Sequence, residues 1–171
     1  MRNRLKALGA QKRSSTREAA NPVGFQYLMY EALQEAGKAR EAGEVPIGAL
    51  VAGPSHEIIA RAHNQCISLN DPTAHAEILA IRQASKVVGN YRLNQTTILV
   101  TIEPCPMCIG AILNARIETL VFGAFDSKFG ASGLIGDLAG DKKIHHKLEV
   151  IPGVLEAECR QIMQQFFRER R

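Results

Sequence analysis

Two short segments of this 171-residue sequence carry side chains able to do chemistry together: His75-Ala76-Glu77 and Pro104-Cys105-Pro106-Met107-Cys108. A Cys-x-x-Cys at a helix start brings both sulfurs to one side of the first turn, where the helix N-terminus favours thiolate over thiol. Such a pair can be half of a structural zinc site, a redox dithiol, or two ligands of a catalytic metal, and by itself it does not choose between redox and metal chemistry. A structural zinc takes four protein ligands, and no second Cys-x-x-Cys or histidine pair stands near by. His75 shifts the balance. Alone, a histidine in a first helical turn reads as a core or capping residue. Here it opens one helix while Cys105 and Cys108 open the next after an intervening strand, and two helices on one sheet face can aim their N-termini at one point. Three ligands with the fourth tetrahedral position left to water is the arrangement of a catalytic zinc.

Glu77 lies two residues beyond His75, about 200° around the helix, so it need not share the metal. From the first turn it can still reach a water held there, whose pKa a zinc ion draws toward neutrality, and take and relay its proton. An isolated Glu at this place would serve the helix dipole or pair with Arg82 or Lys86. Beside three zinc-competent side chains, the catalytic reading is the better one.

The elements that must position these residues are legible in apolar spacing. Phe25, Leu28, Met29, Ala32, Leu33, Ala36 and Ala39 predict a helix over 25–42, stopped by Gly43. Residues 47–52 and 57–62 read as a hairpin across Gly53-Pro54-Ser55-His56. Asp71-Pro72-Thr73 gives start signals for a helix from Ala74 to Val88, closed by Gly89-Asn90. Residues 96–102 form a β-branched strand, 107–115 a helix and 119–122 a strand. Residues 123–140 read as a glycine-rich loop, 148–151 as a strand, and 154–169 as a helix with Leu155, Cys159, Ile162, Met163 and Phe166 on one face. This order predicts an α/β sandwich with a mixed five-stranded sheet.

Composition narrows the classes. With 46% hydrophobic and 22% charged residues, the chain is globular, and no apolar run reaches the length of a membrane span. The net charge of +4 is uneven: residues 1–20 hold six basic groups against Glu18, so the remainder sums to −1. Overall pI therefore argues little for nucleic acid, and local clusters must make that case: Lys142, Lys143 and Lys147 with His145 and His146, and Arg168, Arg170 and Arg171. Residues 1–20 read as a disordered basic arm, with a faint resemblance to an organelle transit peptide, ahead of one domain over 21–171 whose motif-bearing core spans 24–140. Four cysteines without a secretory signal (Cys66 and Cys159 are the other two) predict a reducing, cytoplasmic setting.

The spacing H-x-E followed by P-C-x-x-C is the signature of zinc-dependent nucleobase deaminases, and the chain resembles that superfamily. Glu44-Val45-Pro46-Ile47-Gly48-Ala49, Asp71 to Glu77, Tyr91-Arg92-Leu93, Glu103-Pro104-Cys105, Val121-Phe122-Gly123-Ala124 and Phe166-Phe167-Arg168 resemble the bacterial tRNA-specific adenosine deaminases, over roughly residues 25–171. The resemblance implies a three-layer α/β/α, cytidine deaminase-like fold, one zinc ion per subunit held by His75, Cys105 and Cys108, and Glu77 as the proton-shuttling acid. It implies hydrolysis of adenosine to inosine at the wobble position, 34, in the anticodon stem-loop of tRNA, by a homodimer whose partner helps to bind RNA, with no nucleotide cofactor and no membrane. Asn64 matches an asparagine that hydrogen-bonds the base, though a strand-end turn residue is the plainer reading. Asp126 and Lys128 match a loop that meets the anticodon backbone, against a merely solvated loop. Phe125 stands where relatives usually carry arginine, which leaves one phosphate contact fewer or a substitute in the arm and tail. The stretch 142–147 and the terminal arginines, Arg168 among them, are expected to form a basic rim, with Phe166 packed and Phe167 either packed or a stacking surface. Two other readings stay open: a zinc deaminase of a free base, nucleoside or nucleotide (cytosine, guanine or dCMP type), and a non-enzymatic metal-stabilised RNA-binding module or redox protein.

Overall fold

A computed structural model describes residues 22–128, 130–131 and 147–170. The basic arm over residues 1–20, Lys142, Lys143, His145, His146 and Arg171 lie outside the described residues. In chain order the elements are α1 (Pro22–Glu41), β1 (Gly48–Ala52), β2 (Ile58–His63), α2 (Ala76–Val88), β3 (Thr97–Ile102), α3 (Pro106–Asn114), β4 (Thr119–Ala124), β5 (Glu149–Ile151) and α4 (Glu156–Arg168). The five strands form one sheet in the order β2-β1-β3-β4-β5. β1 pairs antiparallel with β2 and β3, while β3, β4 and β5 run parallel, so the sheet is mixed as expected. The hairpin carries a bulge, its register moving from Val51↔Ala60 to Ala52↔Ile58.

Alternation along the strands sorts the core into two layers. Ala49 and Val51, Ile98 and Val100, and Leu120 and Phe122 face α2 and α3, which contribute Ala76, Ala80, Ala84, Ile109 and Ile112. Leu50, Ala52, Leu99 and Val121 face the opposite way, toward Phe25, Leu28, Met29 and Ala32 of α1 and Cys159 of α4. The three alanines of α2 recur every fourth residue, presenting small side chains that seat the helix close on the sheet. α4 comes as close to β4: a Cβ at Gly123 would lie 2.3 Å from Cys159 Sγ. The result is a three-layer α/β/α sandwich. No helix among the described residues is long and apolar enough to cross a membrane.

Several boundaries differ from expectation for physical reasons. α2 begins at Ala76, because Asp71-Pro72-Thr73 closes a turn of its own: Thr73 N–H and Oγ1 both donate to Asp71 Oδ1, at 2.8 and 2.7 Å. β4 continues through Gly123 and Ala124, which the glycine count assigns to a loop. α4 begins at Glu156, after Leu155 in a left-handed conformation (φ 53°).

Candidate active site

The chemistry gathers at one rim, beyond the carboxyl ends of β2, β3 and β4, where chain direction delivers Asn64, the Glu103–Cys105 turn and Phe125 in turn. His75 is the N-cap of α2 and Cys105 the N-cap of α3, with Pro106 opening the helix and Cys108 one turn in. Their side chains meet. His75 Nδ1 lies 3.7 Å from Cys105 Sγ and 3.5 Å from Cys108 Sγ, and the three ligand atoms sit within 4.8 Å of one another, the one such group among the described residues. Tetrahedral zinc, with Zn–N near 2.0–2.1 Å and Zn–S near 2.3 Å, separates nitrogen and sulfur by about 3.5 Å. The cluster has the donors and the spacing for such an ion.

Between themselves the two thiols favour a single negative charge. Hydrogen bonding from the Cys108 thiol, then from His75, holds Cys105 down at about 4. The same contact, with burial, pushes Cys108 up. His75 is raised, chiefly by its bond to Cys105. A divalent cation suits such a cluster, because it draws both sulfurs to thiolate.

Glu77 is only 3% exposed, and its Oε2 is buried with no hydrogen-bond partner among the described residues. Burial raises its pKa. An unpartnered buried carboxylate oxygen costs on the order of 1–3 kcal/mol, and the fold supplies no compensating partner for it among the described residues. The surface-pair alternative for Glu77 does not hold, since Arg82 faces Asp71 instead at 3.9 Å.

Asn64 is buried, and its Oδ1 accepts the Ala76 N–H at 2.9 Å. It thereby satisfies the first amide of α2 from twelve residues away. Asp126 Oδ1 accepts Lys128 N–H at 2.8 Å, so this carboxylate shapes the loop that carries Lys128. Phe125, Lys128, Phe167 and Arg168 line one groove of about 550 Å³ between the ends of β3 and β4 and the flank of α4, together with Arg160 and Arg170. Phe166 packs inward and Phe167 outward. Cys159 is buried in the core, its thiol pushed up to about 12 by burial. Neither it nor the half-buried Cys66 joins the metal-competent group.

Two acids that sequence reasoning leaves without a role hold the site in place. Glu44, 1% exposed, accepts from Ile67 N–H (2.9 Å), Ser68 N–H (2.8 Å) and Ser68 Oγ (2.6 Å), anchoring the segment that leads from Asn64 to His75. Glu103, buried just before the cysteines, accepts Asp126 N–H at Oε2 (3.1 Å). A Cβ at Gly130 would fall 2.2 Å from that same oxygen, and Ala131 N–H donates to Pro104 O. The 125–131 loop is thus wrapped over Glu103 and tied to the cysteine turn. The available signal was an acid set among apolar residues, as Glu44 is before Val45-Pro46-Ile47 and Glu103 is after Val100-Thr101-Ile102.

The MafB19-like deaminase family model matches residues 25–171. The tRNA-specific adenosine deaminase of Bacillus subtilis (strain 168) is 50% identical over 143 residues, 84% of this chain and 88% of that protein. A solved structure from work on A-to-I editing by tRNA:A34 deaminases at the wobble position of transfer RNA superimposes with a TM-score of 0.74 at 43% identity, covering 80% of this chain and 98% of that one. A guanine deaminase from Nitrosomonas europaea shares the fold (TM-score 0.72) at 21% identity, over 82% and 83% of the two chains. With residues 25–171 matched by the family model and 84% of the chain by a relative of 50% identity, the chain belongs to the MafB19-like deaminases and, among them, to the bacterial tRNA-specific adenosine deaminases.

Proposed function

We propose that this protein hydrolyses adenosine to inosine at position 34, the wobble position of a tRNA anticodon, at the site formed by His75, Cys105, Cys108 and Glu77. The observation that carries the reading is the buried Glu77 carboxyl, its Oε2 without a hydrogen-bond partner among the described residues, set beside three side chains that could hold a metal ion. His75 Nδ1 and the sulfurs of Cys105 and Cys108 hold one zinc ion per subunit. When bound, that ion supplies a Lewis acid able to lower the pKa of a water to near neutrality. Glu77 takes a proton from the attacking water as its oxygen bonds to C6 of the purine. The protonated carboxyl then passes that proton to N1 of the ring. Glu77 next takes the second water proton, from the oxygen now on C6, and gives it to the exocyclic nitrogen, which leaves as ammonia as the C6–N bond breaks and the C6 carbonyl forms. Water and adenosine are consumed; inosine and ammonia are formed. Asn64 Nδ2 donates to the base and fixes its orientation.

An adenine stacked in duplex is out of reach of such a pocket, so the substrate is a splayed anticodon loop. Lys128 and Arg168 meet its phosphates, the loop carrying Asp126 places Lys128, and Phe167 offers a face to a base. The cations and aromatic rings beside the site favour this reading over deamination of a free base, which needs no such groove. We further propose a homodimer, a cytoplasmic location, and a domain over 21–171 preceded by a basic arm at 1–20. Inosine at position 34, measured in tRNA from cells with and without the protein, tests the assignment. Unmodified adenosine at equal levels in both would overturn it.

A further inference from the structure

Each of the two exposed phenylalanines on the groove is braced edge-on by a buried one. Phe125 is 52% exposed and meets the fully buried Phe122 with 5.1 Å between ring centroids and 88° between planes. Phe167 is 49% exposed and meets Phe166 at 5.4 Å and 79°. Edge-to-face packing of this kind fixes the orientation of the outer ring from within the core while leaving it open to another π system. The Glu103 carboxylate adds to this on one side, by holding Asp126, the neighbour of Phe125, through its amide.

Both outer rings border the same groove as Lys128 and Arg168, while Arg160, also on the groove, is paired with Glu156. That combination selects among ligands. An apolar peptide would cover the rings and leave the cations unmatched, whereas a small anion would satisfy the cations and leave the rings wet. Single-stranded nucleic acid presents planar faces and phosphates at the spacing of its backbone, and uses both features at once.

We infer that Phe125 and Phe167 form a stacking subsite for one unpaired nucleobase beside the target adenosine, with Lys128 and Arg168 serving the phosphates on either side. The inference rests on reading the site as an RNA deaminase. Where the family resemblance expects a guanidinium at position 125, this chain trades a phosphate contact for an aromatic face. The affinity contributed there depends on the presence of a base and not on salt.

The test uses the zinc-loaded protein and an anticodon stem-loop RNA with adenosine at the target position. Binding is read by fluorescence anisotropy over a salt series, and inosine by single turnover. Phe125→Ala is expected to weaken binding about 5- to 100-fold, the range of one base–aromatic stack. The slope of log affinity against log salt stays unchanged, because no charge is lost, and Phe125→Tyr restores the affinity. In a set of RNAs each bearing one abasic residue next to the target, one RNA binds the wild-type protein no better than Phe125→Ala binds the intact loop, and on that RNA the substitution costs nothing further. Binding by Phe125→Ala that matches wild type, or an equal penalty on every abasic RNA, overturns the subsite. Wild-type protein that binds the loop but forms no inosine defeats the deaminase reading while the binding arms still decide the subsite. Wild-type protein that binds no RNA overturns both.

Discussion

His75 and Cys105 hold equivalent places in two different helices: each is the N-cap of its helix, each in extended backbone (ψ 151° and 169°), and neither side chain caps its own helix. Side chains of N-cap residues ordinarily turn back to satisfy first-turn amides. Here Asn64 takes over that duty for α2 through Ala76 N–H. The imidazole and the thiol are released toward each other, and the metal cluster forms where two helix N-termini converge.

Glu77→Gln separates chemistry from metal binding. The amide keeps the size of the side chain but cannot relay a proton, so kcat is expected to fall by roughly 10²–10⁴-fold or more while zinc content stays at one per chain. Burial disfavours the native charge, so the melting temperature of the variant should equal or exceed that of the wild type. Metal analysis beside single-turnover kinetics checks both halves, and turnover at the wild-type rate would refute the assigned role.

Removal of the metal by a chelator should abolish turnover reversibly and lower the melting temperature. A ligand present at a thousandfold excess over its dissociation constant stabilises the folded state by about 4 kcal/mol, and that increment is what the chelated protein loses. Restored activity on adding zinc, followed by differential scanning calorimetry, is the expected result.

Glu44 predicts an acid-sensitive element in the segment that leads to His75. Burial alone would raise its carboxyl, but hydrogen bonds from Ser68 and Ile67 outweigh that and hold it below its ordinary 4.5. Its contribution to stability is therefore complete above that value and disappears as pH falls through the lower, folded value. Glu44→Ala leaves the Ile67 and Ser68 amides, on an exposed segment that water reaches, without their acceptor, at a cost of about 0.5–1.5 kcal/mol per hydrogen bond lost. Thermal melts between neutral and strongly acid pH should show the variant losing less stability on acidification than the wild type.

Gly130→Ala tests the wrapping of the 125–131 loop over Glu103. A methyl group there would lie 2.2 Å from the carboxylate oxygen, so the loop must shift and carry Lys128 and Phe125 with it. KM for the stem-loop is expected to rise by about tenfold, a loss near 1.4 kcal/mol, with zinc content unchanged. An unchanged KM would show that the loop does not place the groove residues.

Local pattern accounts for what could be read in advance. The ligands were legible because H-x-E and C-x-x-C are contiguous strings, and the helices and strands because apolar residues recur at periods of 3.6 and 2. Glu44 and Glu103 were not legible as anchors, since each holds backbone amides 23 residues away and backbone amides carry no mark in the sequence. The start of α2 was misplaced for a related reason. Asp71 and Thr73 satisfy each other, and the cap arrives from Asn64, just beyond the end of β2. The T-shaped pair of Phe122 and Phe125 sits where apolar pattern marks only the end of a strand and the resemblance only an absent arginine.

The mixed direction of the strands has a consequence for how this molecule tolerates change. Because Ala52 pairs with Thr97, the hairpin tip over residues 53–57 stands at the opposite rim from the metal-competent cluster and Phe125, and four of its five residues are exposed. Foreign sequence spliced into that tip, such as an affinity tag or a fused module, enters the polypeptide far from the working edge, so insertions can accumulate on one side while the other stays fixed.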